Sequence, residues 1–180
     1  AIQNMLQIEP GDKVQACLLI RKLQDPDFCK SHYVVFATKD GIIKKTCLTE
    51  YSRPRTNGVN AINIREEDRV IGVNLTNGTD EIIVANRNGR AVRFNEGDVR
   101  TMGRVSTGVQ SIVLDNDGED EVIGMAVIND PENESILVMS DKGWGKYTSV
   151  EAYRKTNRHA KGVKAMNLPE DSKLVTLQVV

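Results

Sequence analysis

The 180-residue sequence predicts an all-β fold of tandem four-stranded blades, each about the size of a propeller blade. One pattern of strands and turns occurs three times, with a period of roughly 50 residues. Two glycines mark each repeat: Gly41, Gly89 and Gly143 at a first turn, and Gly58, Gly108 and Gly162 at a later Gly-Val step. The turn glycines are 48 and 54 residues apart, and the later glycines are 50 and 54 residues apart. Apolar stripes with a helical period are absent.

The first two strands of each unit are predicted to form a hairpin. Apolar, β-branched runs such as IIVA and ILVM are followed by Asp40-Gly41, Asn88-Gly89 and Lys142-Gly143. Asn-Gly and Asp-Gly pairs supply the positive φ that a tight hairpin needs. The second strand, which reads IIKKT, AVRFN or GKYTS, alternates apolar and basic side chains and so predicts one buried and one solvent-facing side.

A further strand pair is predicted to close each unit. In the first unit, NAINI and VIGVNL are joined by the acidic turn REED, and the later units have matching segments. The blades therefore span residues 31–78, 79–130 and 131–180. Residues 1–30 are predicted to be the remnant of a preceding blade and a linker, because MLQIEPGDKVQACLLI matches AINIREEDRVIGVNL. The segments LTEYSR and VEAYRK are each predicted to form a turn of helix.

Composition narrows the class of protein. An apolar content of 39% suits several small cores better than one large core. The odd number of cysteines, without metal-ligand spacing, predicts free thiols at Cys17, Cys29 and Cys47 and a reducing cytoplasm. No apolar run approaches the roughly 20 residues of a membrane helix, so no membrane association is expected. The start at Ala1, without a signal peptide, predicts a piece of a longer protein.

The net charge of −1 conceals a strong segregation of charge. The windows 39–58, 87–104 and 142–164 hold 17 of the 24 basic residues but only 5 of the 25 acidic residues. Their net charges are +3, +3 and +6, and the rest of the chain carries −13. Blades set side by side would align these windows into a positive stripe along one rim, which is the electrostatic footprint of a duplex backbone.

The sequence therefore predicts a rim that binds DNA phosphates. The candidate DNA-binding residues are Lys44, Lys45, Arg53, Arg55, Arg90, Arg93, Arg100, Arg104, Lys146, Arg154, Lys155, Arg158 and Lys161. Binding should be largely independent of base sequence, because no recognition helix, zinc finger or aromatic stacking platform is visible. Trp144 and Tyr147 are expected to pack within the fold.

Other functions are weighed against this prediction. Charge on an exposed strand usually serves solvation and edge protection, and the same rim would suit a repeat scaffold that binds an acidic protein. An enzyme is disfavoured, because His32 and His159 have no nucleophile or carboxylate at a suggestive spacing. The turn DNDGEDE resembles part of a calcium loop but has Ala126 where the twelfth position needs Glu. No catalytic residue, metal or cofactor is therefore expected in this chain.

Four segments carry a resemblance to a known family. They are ATKDGIIKKTCLTEYSRPRTNGVNAI, DRVIGVNLTNGTDEIIVANRNGRAVRFNEGDVRTMG, STGVQSI and SDKGWGKYTSVEAYRKTNRHAKGVKAM, and they span nearly the whole chain. The repeat resembles the blades of the C-terminal domain in the A subunit of bacterial DNA gyrase. The related topoisomerase IV subunit has a similar but more degenerate domain, and the regular, basic blades of this chain look more like gyrase.

The resemblance implies a β-pinwheel, which is a propeller-like disc whose neighbouring blades exchange strands. It implies a basic rim that bends and wraps DNA and so supports ATP-dependent negative supercoiling by the whole enzyme in the bacterial cytoplasm. The implied partners are double-stranded DNA, the B subunit of gyrase, and the rest of its A subunit. ATP and Mg²⁺ would be used elsewhere in the parent enzyme.

Two departures from the family pattern qualify these expectations. The family's box rich in Gln, Arg and Gly in its first blade is absent. Full discs have about six blades, whereas this chain has three and a remnant, so we expect a partial disc that binds DNA weakly. The catalytic tyrosine of the parent enzyme lies in another part of the subunit.

Overall fold

The computed structural model describes residues 11–53, 55, 57–115 and 118–180. The helix in this part of the chain, α1, spans Pro26–Ser31. The strands are β1 (Tyr33–Thr38), β2 (Ile42–Cys47), β3 (Val70–Thr76), β4 (Glu81–Asn86), β5 (Arg90–Asn95), β6 (Val109–Gln110), β7 (Val122–Ile128), β8 (Ser135–Ser140), β9 (Gly145–Ser149), β10 (Val163–Lys164) and β11 (Leu174–Val179). Single 3-10 turns follow the second strand of each unit, at Leu48–Tyr51, Glu96–Asp98 and Val150–Ala152, and they confirm the two predicted turns of helix.

The strands form three sheets, one for each consecutive blade. Their strand orders are β3-β1-β2-β6, β10-β5-β4-β7 and β11-β8-β9. The first two strands of each unit pair as an antiparallel hairpin around the predicted glycine turn, with Ala37 opposite Ile43 in the first blade. The predicted all-β architecture of tandem blades is confirmed.

The fourth strand of a blade comes from the following repeat. β6 lies within residues 79–130 but adds to the first sheet, where Val109 is opposite Ile43. β10 adds to the second sheet in the same way, with Val163 opposite Ala91. The prediction that NAINI pairs within its own unit is wrong, because this segment forms no strand and its counterparts in the later units join the preceding blade. Neighbouring blades therefore exchange strands.

The Gly-Val step is a point of close approach between blades. Gly108 and Gly162 have φ angles of +113° and +73°, which residues with a side chain rarely adopt. A Cβ atom on Gly108 would lie 2.5 Å from the carbonyl oxygen of Ile43. One on Gly162 would lie 2.2 Å from the carbonyl oxygen of Ala91. Glycine is therefore required where the incoming strand meets the preceding blade.

Two of the apolar cores lie between the blades. On β4, Ile82 and Val84 join the cluster shared with the first blade, and Ile83 and Ala85 join the cluster shared with the third. Because successive side chains of a strand alternate, β4 is buried on both faces. β2 and β5 are also buried along most of their length, so the prediction of a solvent-facing side is wrong for these two strands.

Residues 11–23 cover part of the first blade and add no strand to it. Residues 11–20 contain no strand, and residues 1–10 of the predicted blade remnant lie outside the described residues. Leu18, Ile20 and Leu23 pack against the apolar cluster of the first blade. In the described part of the chain, no helix is long and apolar enough to span a membrane.

Replacing Gly162 by Ala should lower the free energy of unfolding by about 3 kcal/mol or more. Left-handed backbone strain alone costs about 1–2 kcal/mol, and the Cβ atom would also displace β10 from the carbonyl of Ala91. Gly118→Ala is the matched control, because Gly118 has a φ of +77° and open space around it. Urea unfolding of both variants measures the difference, and equal losses would contradict the close approach.

Candidate nucleic-acid interface

The basic segments lie on the outer side of the array of blades. β3 contacts β7 and β7 contacts β11, so these strands face the centre, and β6, β10 and β9 lie at the opposite edges of their sheets. We call residues 48–58, 96–108 and 150–162 the edge loops. The second and third edge loops run along the outer strand of the preceding blade, where the N–H of Met102 donates to the carbonyl of Lys45 at 2.8 Å.

The predicted DNA-binding residues fall into three groups by exposure. Seven side chains are exposed, namely Arg53, Arg55, Arg100, Lys146, Arg154, Lys155 and Lys161. Three are half-buried, namely Arg90, Arg104 and Arg158. Three are buried, namely Lys44, Lys45 and Arg93. All but one of the exposed members lie in the edge loops, whereas the buried members lie on the second strands of the first two blades.

Lys44 is fully buried between the first blade and the second edge loop. Its Nζ donates to the carbonyl oxygens of Ala61 and Arg104, which belong to two successive units. Burial, together with the nearby charge of Arg104, lowers the pKa of Lys44 to about 8. Lys44 therefore joins two blades through its ammonium group.

Lys45 pairs with a buried carboxylate of the next blade. Its Nζ donates to the carbonyl of Glu96 at 2.8 Å and lies 3.5 Å from the Glu96 carboxylate. That carboxylate also accepts hydrogen bonds from the hydroxyl of Thr76 at 2.8 Å and from the N–H groups of Gly78 and Asp80 at 2.7 and 2.9 Å. The buried charge is thus fully bonded, as stability requires.

Arg93 makes the corresponding contacts between the second and third blades. Its Nε donates to Glu81 at 2.6 Å, and its Nη1 donates to the carbonyls of Val150 and Tyr153 at 3.0 and 3.1 Å. Lys155 also donates to Glu81, at 3.0 Å. Burial alone would raise the pKa of Glu81, but the hydrogen bonds and charges of the two cations together hold it below its usual value.

Sequence reasoning missed the two carboxylates that organise these contacts. Glu96 stands where the other two repeats have Leu48 and Val150, and all three side chains are fully buried. An acid at an apolar position of the repeat is a signal of a buried ion pair. Glu81 has a weaker signal, since it only begins the apolar run EIIVAN.

The half-buried arginines differ in how their donors are used. Arg158 donates to the carbonyls of Asp98 and Gln110 at 3.0 and 3.1 Å. Arg90 donates to the carbonyl of Gly162 at 3.3 Å. The Nε atom of Arg104, in contrast, is buried and has no hydrogen-bond partner among the described residues.

The expected packing of Trp144 and Tyr147 is wrong. Their side chains are 64% and 66% exposed. Both belong to the turn and outer strand of the third blade, and β9 has no further strand on its outer side in the described chain. Tyr147 occupies the repeat position at which Lys45 and Arg93 contact a following blade.

The chain matches the family model described as "DNA gyrase C-terminal domain, beta-propeller" over residues 32–77, 80–129 and 134–180. The chain belongs to the DNA gyrase C-terminal domain family. The A subunit of DNA gyrase from Staphylococcus aureus is 35% identical over 169 residues, which cover 94% of this chain and 18% of that protein. Its counterpart from Staphylococcus epidermidis gives the same values. The chain thus spans less than a fifth of the length of these relatives.

Solved structures show the same fold. The C-terminal domain of DNA topoisomerase IV aligns with a TM-score of 0.86 and 26% identity, over 99% of this chain and 54% of that chain. The E. coli ParC C-terminal domain aligns with a TM-score of 0.65 and 17% identity, over 84% of this chain and 63% of that chain. A DNA gyrase A C-terminal domain aligns with a TM-score of 0.51 and 17% identity, over 85% and 67%. The last two support the fold alone.

In this member of the gyrase C-terminal domain family, Glu96→Ala should lower the free energy of unfolding by about 3–5 kcal/mol. It leaves Lys45 as a buried cation without its carboxylate, and it leaves two backbone N–H groups without acceptors. Lys30→Ala, which breaks an exposed pair with Asp27, should change little. Chemical denaturation tests both, and a small effect of Glu96→Ala would refute the contact.

Lys44 should make the fold more stable as the pH rises above about 8. The folded state releases the Lys44 proton near pH 8, whereas the unfolded state holds it up to the ordinary pKa of 10.5. The unfolded state then binds more protons, so stability rises between these values. Unfolding free energies measured from pH 7 to 9.5 should show this rise in the natural chain and a smaller one in Lys44→Met. Parallel curves would exclude Lys44 as the source.

Proposed function

We propose that this chain binds duplex DNA along its edge loops, independently of base sequence, and bends it as the C-terminal module of the A subunit of gyrase. The observation that carries the proposal is the recurrence of exposed cations in the same loop of three successive units. The acidic residues gather at the opposite turns, such as residues 65–68 and 118–121. A row of like charges on neighbouring blades suits the regular spacing of backbone phosphates.

The phosphate contacts are assigned to the exposed cations of the edge loops. These are Arg53, Arg55, Arg100, Arg154 and Lys161. Lys155 is also exposed, but its ammonium group already donates to Glu81 at 3.0 Å. Lys44, Lys45 and Arg93 were candidates from the sequence, but their charged groups already bond to carbonyl oxygens of the following blade. We assign these three to holding the edge loops in place.

Sequence independence follows from what the edge loops lack. The helix in the described part of the chain, α1, has six residues and contacts the first blade, and no base-reading helix stands among the described residues of the edge loops. Contacts to phosphates fix the position of a duplex without reading its sequence. Preference would then come from the ease with which a given DNA sequence bends.

The parent enzyme is proposed to be gyrase. The 35% identity to the gyrase protein of Staphylococcus aureus supports this assignment, although the TM-score of 0.86 shows how similar the topoisomerase IV domain is in shape. In that context the module would act in the bacterial cytoplasm with the B subunit of gyrase, and with the rest of its own A subunit. Negative supercoiling, and the use of ATP and Mg²⁺, would belong to the whole enzyme.

Removing exposed cations should flatten the salt dependence of DNA binding. We expect the affinity for a random duplex of about 40 base pairs to fall steeply with salt, with a slope near 0.9 for each phosphate contact. The combined variant Arg53→Gln, Arg55→Gln, Arg100→Gln and Arg154→Gln should lose about 0.9 of slope for every contact removed. Fluorescence anisotropy at several salt concentrations gives these slopes.

The control is Arg65→Gln, because Arg65 is exposed but lies in an acidic turn away from the edge loops. It should leave the slope unchanged. Energy transfer between dyes at the two ends of the duplex tests bending separately from binding. Failure to bind DNA at low salt would contradict the proposal and favour the scaffold for an acidic protein.

A further inference from the structure

The edge loops of the first two units meet in an open cavity at the junction of their blades. It is lined by Thr49, Glu50, Ser52, Arg53, Arg55 and Arg104. Three guanidinium groups thus share one depression with a single carboxylate, that of Glu50, which is exposed to solvent. Solvent screens an exposed carboxylate, so the cavity keeps an excess of positive charge.

Arg53 and Arg55 are the exposed arginines of this cluster, whereas Arg104 is half-buried. Its Nε is buried without a hydrogen-bond partner among the described residues. Arg158 stands at the same distance before its Gly-Val step, yet it bonds to the carbonyls of Asp98 and Gln110. A buried donor without an acceptor is costly, so native structures rarely leave one without a role.

Charge repulsion beneath the cavity also favours the binding of an anion there. Lys44 lies against Arg104, with its Nζ bonded to the Arg104 carbonyl. The Arg104 charge contributes to the lowered pKa of Lys44, after burial. Two cations held together without a buried counter-ion destabilise each other, and an anion in the cavity would relieve both.

We propose that this cavity is a discrete phosphate-binding site, centred on Arg104 and flanked by Arg53 and Arg55, that takes one backbone phosphate of a bound duplex. The inference rests on the proposed function and adds a defined anchoring point to it. Guanidinium groups bind phosphate oxygens through paired, charge-assisted hydrogen bonds. At the second blade junction the corresponding arginine, Arg158, already uses two of its donors on carbonyl oxygens.

The decisive comparison is between Arg104→Gln and Arg158→Gln. Arg104→Gln should weaken duplex binding about tenfold, as expected for one charge-assisted hydrogen bond. It should leave the thermal midpoint of unfolding unchanged or raise it, because a repulsive charge is removed. Arg158→Gln should lower the thermal midpoint, since two carbonyls lose their donor, and should cost less affinity. The reverse ranking of the two variants in either measurement would overturn the proposal.

Inorganic phosphate distinguishes a duplex phosphate from a free anion. Phosphate should raise the thermal midpoint of the natural chain above that found with chloride at equal ionic strength, and Arg104→Gln should abolish the difference. If Arg104→Gln removes this stabilisation but leaves duplex affinity intact, the site binds free anions and the assignment to DNA is wrong. A third outcome is that Arg104→Gln changes neither the stabilisation by phosphate nor the duplex affinity, while the combined variant of Arg53, Arg55, Arg100 and Arg154 still loses DNA binding. The cavity is then not a site, and the proposed function stands.

Discussion

The strand that each blade receives from its successor is the constraint on which the rest of the structure depends. Because β6 and β10 lie against β2 and β5, the edge loops that precede them must cross the outer side of the neighbouring blade. This crossing buries the basic side chains of the second strands and supplies carbonyls that bind them. It also determines which cations stay exposed, because the arginines of the edge loops lie on the outer side of the blades.

The charge pattern therefore serves two purposes in the same short segments. Lys45 with Glu96, and Arg93 with the carbonyls of Val150 and Tyr153, connect successive blades through buried contacts. The arginines a few residues further along the chain face solvent. A near-zero net charge is the sum of a positive outer edge and acidic turns elsewhere. A positively charged edge and a near-zero net charge are thus compatible in one small chain.

Much of the fold could be predicted because the repeat is visible as regular spacing. The hairpin turns at Gly41 and Gly89, the short helical turns and the all-β class all follow from local patterns. The exchange of strands could not be predicted from the residues themselves, since a Gly-Val segment can pair equally well with its own blade or with the preceding one. Only the resemblance to a known family implied it.

The burial of the cations on the second strands could not be predicted from the sequence for a related reason. IIKKT looks like a half-exposed strand, and the partners of Lys44 and Lys45 lie in the next unit, many residues away in sequence. EIIVAN, in contrast, has four consecutive apolar residues, which is typical of a strand covered on both faces. The arginines of the edge loops could be predicted to be exposed because the segregation of charge is visible in the sequence without knowing which strands pair.

Strand exchange also has a consequence for how the chain folds as it leaves the ribosome. β2 ends at Cys47, but the segment that completes its sheet begins at Val109, so the first blade stays unfinished until most of the second repeat has been made. Each nascent blade would present an unpaired edge for that interval, and such edges recruit strands from other chains. Translation that stalls inside a repeat would leave the preceding blade exposed, so steady elongation protects this protein from aggregation.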